Sequence, residues 1–429
     1  MITWPVAVLC LLGLLLTGLP IAVSLTVVGV VGTASIIGFQ PALSLLGQTF
    51  FDNSSNYSMS VVPLFLMMGN FVVLSGIAHE MYEAANAWMR HRRGGLAIAT
   101  VIASGGFSSV CGSSLATAAT MAKISMPSMR RFGYPDSLST ASIAVGGTLG
   151  ILIPPSIILV LYGIMTQQDI GKLFLAGIIP GLVSVLCYCL VVVLSLKLSG
   201  KKLPVEELLS LRERFRAMEG TLGATALFVF VMGGIYFGVF TPTESAGMGA
   251  FGTFLLVLVK RRFTWRTVLM SLFESAKTSA MMFFILFGAL TFTNYVNMSG
   301  MMQDIQSLLT VFGDTRVGIL IAIMLIYLVL GCLLEGMAMI TLTIAIFYSV
   351  VAAHGIDLIW FGIFVVIVTE ISYITPPVGL NAFVLRAVVP DVGLSTIFRG
   401  LAPFLAIDIT RILLIIVFPA IVLLLPNSM

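Results

Sequence analysis

Runs of mostly apolar residues recur along nearly the whole chain, and the polar gaps between them are too short for a soluble domain. A helix crosses a hydrocarbon layer with about 20 apolar residues. The pattern therefore predicts an all-α polytopic membrane protein. Two of the runs are interrupted in matching ways. One carries Gly146-Gly147-Thr148-Leu149-Gly150-Ile151-Leu152-Ile153-Pro154-Pro155-Ser156. The other carries Thr369-Glu370-Ile371-Ser372-Tyr373-Ile374-Thr375-Pro376-Pro377-Val378-Gly379. Proline removes a backbone donor and obstructs the helical bond one turn back. In lipid, broken backbone survives only where protein or a water-filled cavity satisfies it. Two broken membrane helices in corresponding halves point to a transporter binding site. Residues 1–38 are apolar but divided by Pro20, so they read as membrane helices rather than a cleaved signal. No extra domain is expected ahead of them.

Charge placement orients the helices. Arg90-His91-Arg92-Arg93, Lys123 with Arg130-Arg131, Lys197 to Arg216, and Lys260-Arg261-Arg262 with Arg266 mark the cytoplasmic side. Segments 40–60, 167–171 and 299–314 are poor in Lys and Arg and suit the outer side. Lys197–Glu219 is the long polar connector, and its Arg212-to-Arg216 run predicts a short amphipathic helix at the interface. It separates residues 1–196 from 220–429.

Gly94–Ala122 has basic clusters on both flanks, so both ends belong to the cytoplasmic side. Two full spans need about 40 residues, more than it has. Its middle, Ser104 to Ser114, is rich in Gly and Ser. A re-entrant hairpin over 94–129, followed by a broken helix over 137–166, accounts for these facts. A single tilted span would need basic residues on both sides of the membrane. The second half repeats the order upside down. Val317–Ala353 contains the break Gly331-Cys332-Leu333-Leu334-Glu335-Gly336 and is flanked by Asp314, Arg316, His354 and Asp357. This predicts a hairpin over 317–353 and a broken helix over 357–386, and hence an inverted repeat.

Composition narrows the class further. The 429 residues are 59% hydrophobic and 9% charged, whereas soluble domains carry about 25% charged residues. The net charge of +4 sits in loops. It reports topology and implies no nucleic-acid partner. Cys10, Cys111, Cys187, Cys189 and Cys332 are odd in number and lie in apolar segments, so no disulfide framework follows. His79, His91 and His354 form no metal-like cluster. The chain lacks a Walker loop, an HExxH pair and a Ser-His-Asp set, so no enzyme and no cofactor are expected. Energy for transport must come from an ion gradient or an associated chain.

The Ser104–Thr117 tip and the Gly146–Ser156 break form the first candidate site. Unwound carbonyls and hydroxyls suit a hard cation such as sodium, and helix N-termini beside them favour an anion. The second candidate joins Gly331–Gly336 to Thr369–Gly379 and adds Glu335 and Glu370. An intramembrane carboxylate is a functional hypothesis by default. Cation ligation, a structural hydrogen bond and proton carriage all stay open for these two. Thr243 is expected to cap the helix after Thr241-Pro242, with Glu244 near its positive end. Asp408 and Arg411, three apart on an apolar helix, are expected to pair.

At Gly112-to-Thr117, Gly146-to-Ser156, Thr241-to-Ala246 and Tyr373-to-Asn381 the sequence resembles the large membrane subunit of TRAP transporters, the tripartite ATP-independent periplasmic transporters. The similarity runs over essentially the whole chain, with the motifs in the family's order. The resemblance implies sodium-coupled import of an organic acid, of the C4-dicarboxylate or sialic acid class, across the bacterial inner membrane. It implies two partners, a periplasmic substrate-binding protein and a small four-helix membrane subunit carried as a separate chain. It also implies an elevator, in which a transport domain of hairpins and broken helices slides against a scaffold. Carried over by motif, one sodium site involves Ser104, Gly105, Gly106 and Gly146, Gly147, Thr148. The other involves Gly331, Gly336, Thr369 and Thr375. The substrate carboxylate is expected near Ser109, Cys111, Ser113, Thr148, Ser156 and Thr375. Cys111 departs from the pattern, since many relatives carry serine there. A thiol is a weak donor, so either the position tolerates that loss or substrate contacts lie elsewhere. The alternative reading is a standalone ion-coupled carboxylate symporter or exchanger that needs no binding protein.

Overall fold

The computed structural model describes residues 3–200, 203–310, 315–332 and 334–429. Among the described residues every regular element is helical. Among the described residues, seven helices are long and apolar enough to cross a membrane: Tyr57–Ser75, Asp136–Thr166, Ile170–Leu198, Leu211–Tyr236, Pro242–Val259, Trp265–Met298 and Leu394–Val417. That agrees with a polytopic membrane protein.

The core is built around the run Asp136–Thr166, which is buried nearly throughout. Its small residues let neighbouring backbones come close, the usual basis of helix association in lipid. Gly95–Cys111 and Ser114–Arg131 lie against each other and both pack on Asp136–Leu152. The turn between them is two residues long. Gly112 adopts φ +66°, and Ser113 caps the returning arm by accepting from the Ala116 amide at 3.4 Å. The second pair is Arg316–Leu330 and Gly336–Ala353. Here the cap is a carboxylate: Glu335 Oε2 accepts from the amides of Met337 at 3.1 Å and Ala338 at 3.4 Å.

Both proline pairs interrupt a helix. Asp136–Leu152 stops before Ile153 and resumes as Ile157–Thr166. Ser156 caps the resumed segment, accepting from the Leu159 amide at 3.4 Å while its hydroxyl donates to the Ile151 carbonyl. Leu358–Ser372 resumes as Leu380–Val388. Pro154-Pro155 and Pro376-Pro377 each contain a cis peptide bond.

Further helices pack around this core. Ile21–Ile37 packs along Trp265–Met298 so closely that a Cβ at Gly29 would come within 2.8 Å of the Phe292 backbone. Val61–Ser75 packs on Pro242–Val259. Large apolar side chains such as Leu186, Val229 and Phe273 face outward on the enclosing helices, as a lipid-facing surface requires. The expected amphipathic helix forms as Leu211–Met218, with a capping box between Ser210 and Glu213. It docks on Ile77–Met89, where Phe215 meets Trp88 edge-on at 5.6 Å and Arg214 lies over the same ring.

One local expectation is corrected. The cap of Pro242–Val259 is Thr241, not Thr243. The Glu244 amide bonds the Thr241 hydroxyl, and the Glu244 carboxylate returns to the Thr241 amide at 2.9 Å. Proline is pre-set for the first helical position, so Pro242 fixes the cap one residue earlier and leaves Thr243 inside the helix.

Candidate functional site: two helix breaks against two hairpin tips

Each break lies against a hairpin tip, and glycines set how close they come. At the first, a Cβ on Gly150 would sit 2.8 Å from the Ser113 backbone, and one on Gly112 would sit 2.8 Å from the Pro155 carbonyl oxygen. The Ser104 hydroxyl occupies the space that a Cβ on Gly146 would need, at 2.5 Å. Ser104 is fully buried and its hydroxyl has no partner. The hydroxyls of Ser108, Thr117 and Ser142, all fully buried on the same three helices, are also unpartnered. A buried hydroxyl without a partner is costly and calls for an explanation such as a bound ion.

At the second break the same contact recurs with the partners exchanged. The glycine is now on the hairpin, and a Cβ on Gly331 would strike Ser372 of the broken helix. Gly336 presses on Thr369 and Tyr373. The Gly336 amide donates to the Tyr373 hydroxyl at 3.1 Å, which itself donates to Glu335 at 3.2 Å. The Cys332 thiol lies 3.8 Å from the Pro376 carbonyl oxygen. The two breaks differ in access. Pro154 and Pro155 are buried, whereas Pro376 and Pro377 are exposed.

The remaining expected residues divide. Thr148 donates to the Val145 carbonyl, Thr369 to Val365, Thr375 to Ile371 and Ser109 to Gly106. Their hydroxyl protons are engaged and their oxygen lone pairs stay available to a cation. Cys111 is buried, with its carbonyl oxygen against Gly69. Gly147 faces Ala118 and the Asn381 side chain. The α-carbons of Gly105 and Gly106 point elsewhere, toward Val185 and Met81. Of that run only the Ser104 side chain meets Gly146.

A cavity of about 870 Å³ brings both tips to one space. Leu115 lines it from the first hairpin and Glu335, Met337 and Ala338 from the second, together with Phe50, Met281 and Phe284 of the surrounding helices. The two helix N-termini at the tips are unequal. Glu335 already places a carboxylate on the second. The first has only the Ser113 hydroxyl as its cap, so it is the better seat for an external anion. Among the described residues, no three His, Cys, Asp or Glu side chains converge as metal ligands. Besides the Glu335 carboxylate, the oxygen donors present are hydroxyls and carbonyls, which suit a hard cation.

The sequence matches a family model over residues 8–421, described as tripartite ATP-independent periplasmic transporter, DctM component. The chain belongs to that family. It is 38% identical over 401 residues to the C4-dicarboxylate TRAP transporter large permease protein DctM of Pseudomonas aeruginosa, covering 93% of each chain. It is 31% identical to the sialic acid TRAP transporter large permease protein SiaM of Vibrio cholerae, covering 97% of this chain and 96% of that one. Among solved structures, the YdaH transporter of Alcanivorax borkumensis superposes with a TM-score of 0.59 at 14% identity, over 90% of this chain and 88% of that one. That likeness concerns the fold alone. Membership in a family of transporter permeases agrees with the absence of an enzyme signature in the sequence.

Two features of this DctM component escape sequence reasoning. Glu370 joins the expected Asp408–Arg411 pair. Arg411 contacts Glu370 at 2.8 Å and Asp408 at 3.2 Å, and all three side chains are wholly buried. Ser184 accepts from Arg411, and Tyr188 donates to Asp408 at 3.2 Å with its ring under the guanidinium. Glu370 therefore sits in a structural ion network one residue from Thr369. The second feature is Asn381, whose motif was visible but whose partners were not.

Proposed function

We propose that this TRAP component imports an organic acid by coupling it to sodium entry. One sodium ion sits at Ser104, Gly105, Gly106 and Gly146–Thr148, and another between Gly331, Gly336, Thr369 and Thr375. The substrate carboxylate binds at the first hairpin tip, near Ser109, Cys111, Ser113, Thr148, Ser156 and Thr375. The chain works in the bacterial inner membrane with a small four-helix membrane subunit and a periplasmic binding protein that delivers the substrate. Hairpins and broken helices move together past the outer helices as an elevator.

The observation that carries this reading is the group of buried, unpartnered hydroxyls at Ser104, Ser108, Thr117 and Ser142 around a broken helix. Oxygen donors kept from protein partners are donors kept for a ligand. The N-terminus at Ser113 supplies the anion seat. The relatives' names include C4-dicarboxylate and sialic acid, which supports an organic acid as the substrate class.

The test is uptake into proteoliposomes holding this chain and its small subunit, under an inward sodium gradient, with the binding protein outside. Accumulation of the acid only when both gradient and binding protein are present supports the reading. Equal uptake with potassium replacing sodium overturns the coupling ion. Uptake by this chain alone overturns the tripartite model.

A further inference from the structure

Asn381 stands where the two half-sites meet. It is fully buried at the start of the resumed helix Leu380–Val388. Its amide nitrogen donates to the Ser114 hydroxyl of the first hairpin tip at 3.0 Å and to the Ala144 carbonyl of the first broken helix at 2.9 Å. Its side-chain oxygen lies 3.1 Å from the same Ser114 hydroxyl. A Cβ on Gly147 would come 3.1 Å from that nitrogen, so the glycine makes room for it.

The backbone of Asn381 continues the connection. Its amide donates to the Tyr373 carbonyl at 3.0 Å, across the Pro376-Pro377 break. The Tyr373 hydroxyl is in turn bonded to Gly336 and Glu335 of the second hairpin tip. An unbroken path of short contacts thus runs from one tip to the other through a single asparagine. The first half has no counterpart. The fifth residue after Pro376 is Asn381, and the fifth after Pro154 is Leu159.

We propose that Asn381 is a positioning residue that couples the two cation half-sites, so that filling one favours filling the other. The proposal rests on the sodium reading above. A cation at the first half-site orders the tip that holds Ser114. A cation at the second orders the segment between Tyr373 and Gly379. Asn381 has both its donors and its acceptor committed between these regions, so neither can settle without setting its geometry. Coupling of this kind is reciprocal by linkage.

The experiment uses the purified full chain and sodium itself as the probe. Sodium chloride replaces choline chloride at constant ionic strength, and tryptophan fluorescence and thermal unfolding report occupancy. The wild type should respond with a Hill coefficient above one. In Asn381→Ala and in Ser114→Ala the coefficient should fall to one and the sodium midpoint should rise about tenfold. A residue with only a structural role would lower stability and leave the coefficient unchanged. Should Asn381→Ala not fold, Ser114→Ala decides, because it removes a single hydroxyl from the same bridge. Wild-type cooperativity in a folded variant overturns the proposal, as does a wild-type coefficient of one. A wild type that treats sodium and choline alike overturns the sodium reading itself.

Discussion

Arg411→Met removes the positive charge from a pocket that holds two carboxylates. The side chains of Arg411, Glu370 and Asp408 are all fully buried. The guanidinium touches both carboxylates at 2.8 and 3.2 Å, bonds the Ser184 hydroxyl, and lies 5.6 Å from the Tyr188 ring centre. Stripping a buried ion pair of one partner costs roughly 3–5 kcal/mol. Here one guanidinium serves two carboxylates, so Arg411→Met should lose about 5 kcal/mol, the top of that range. Glu370→Gln leaves one guanidinium facing one carboxylate, and its amide oxygen can still accept from Arg411. It gives up only the charge-assisted part of one hydrogen bond, about 1 kcal/mol. The gap of about 4 kcal/mol is close to a thousandfold in the folding equilibrium. The assay is detergent-to-SDS unfolding of the purified chain, followed by circular dichroism. In Arg411→Met/Glu370→Gln one carboxylate is left, still bonded by Tyr188, so part of the loss should return. Equal losses in the two single variants, or no recovery in the double, would refute the charge count.

Gly146→Ala should abolish sodium-dependent uptake, because its Cβ would lie 2.5 Å from the Ser104 hydroxyl oxygen. Adding Ser104→Gly should restore thermal stability without restoring the sodium dependence; if both return, Ser104 is no ligand. Thr241→Ala should cost about 1 kcal/mol in unfolding assays, while Thr241→Ser stays near wild type because serine also caps. Equal effects of the two would remove the cap assignment. Leu115→Cys with Phe284→Cys, both lining the cavity at the tips, should crosslink in a ligand-dependent manner. One unchanging pattern would count against a sliding transport body.

What was legible in the sequence was local. Gly and Pro punctuate the backbone where they stand, and in the stretch 94–131 the helices Gly95–Cys111 and Ser114–Arg131 are separated at Gly112-Ser113. Around Pro376-Pro377 the helix Leu358–Ser372 ends and Leu380–Val388 follows. The error at Thr243 is also local, a one-residue slip that Pro242 corrects. What was not legible was partnership. Periodicity says which residues share a helix face, and Asp408 with Arg411 follows from it. It says nothing of which distant residue that face meets, so Glu370 and Asn381 could be flagged but not paired. The glycines of Ser104-Gly105-Gly106 show the same limit, since composition marked the run while only packing shows that two of the three turn toward Val185 and Met81.

The asymmetry between the halves has a physical consequence. At the second tip Glu335 supplies both the anion and the cap, and Tyr373 completes its bonding. The first tip carries no carboxylate, and the helices that lead to and from it hold the unpartnered hydroxyls of Ser104, Ser108 and Thr117. Hydroxyl oxygens and free helix-end amides are strong ligands only while they lack a competitor, and an internal carboxylate is such a competitor. The tip that caps itself with a carboxylate is therefore the poorer anion seat, and the tip capped by a neutral hydroxyl is the better one. A carboxylate introduced at the first tip, as in Ser113→Asp, would fill the anion seat from within. It should keep the fold, since aspartate also caps helices, and should block organic-acid uptake. Undiminished uptake by that variant would move the anion seat away from Ser113.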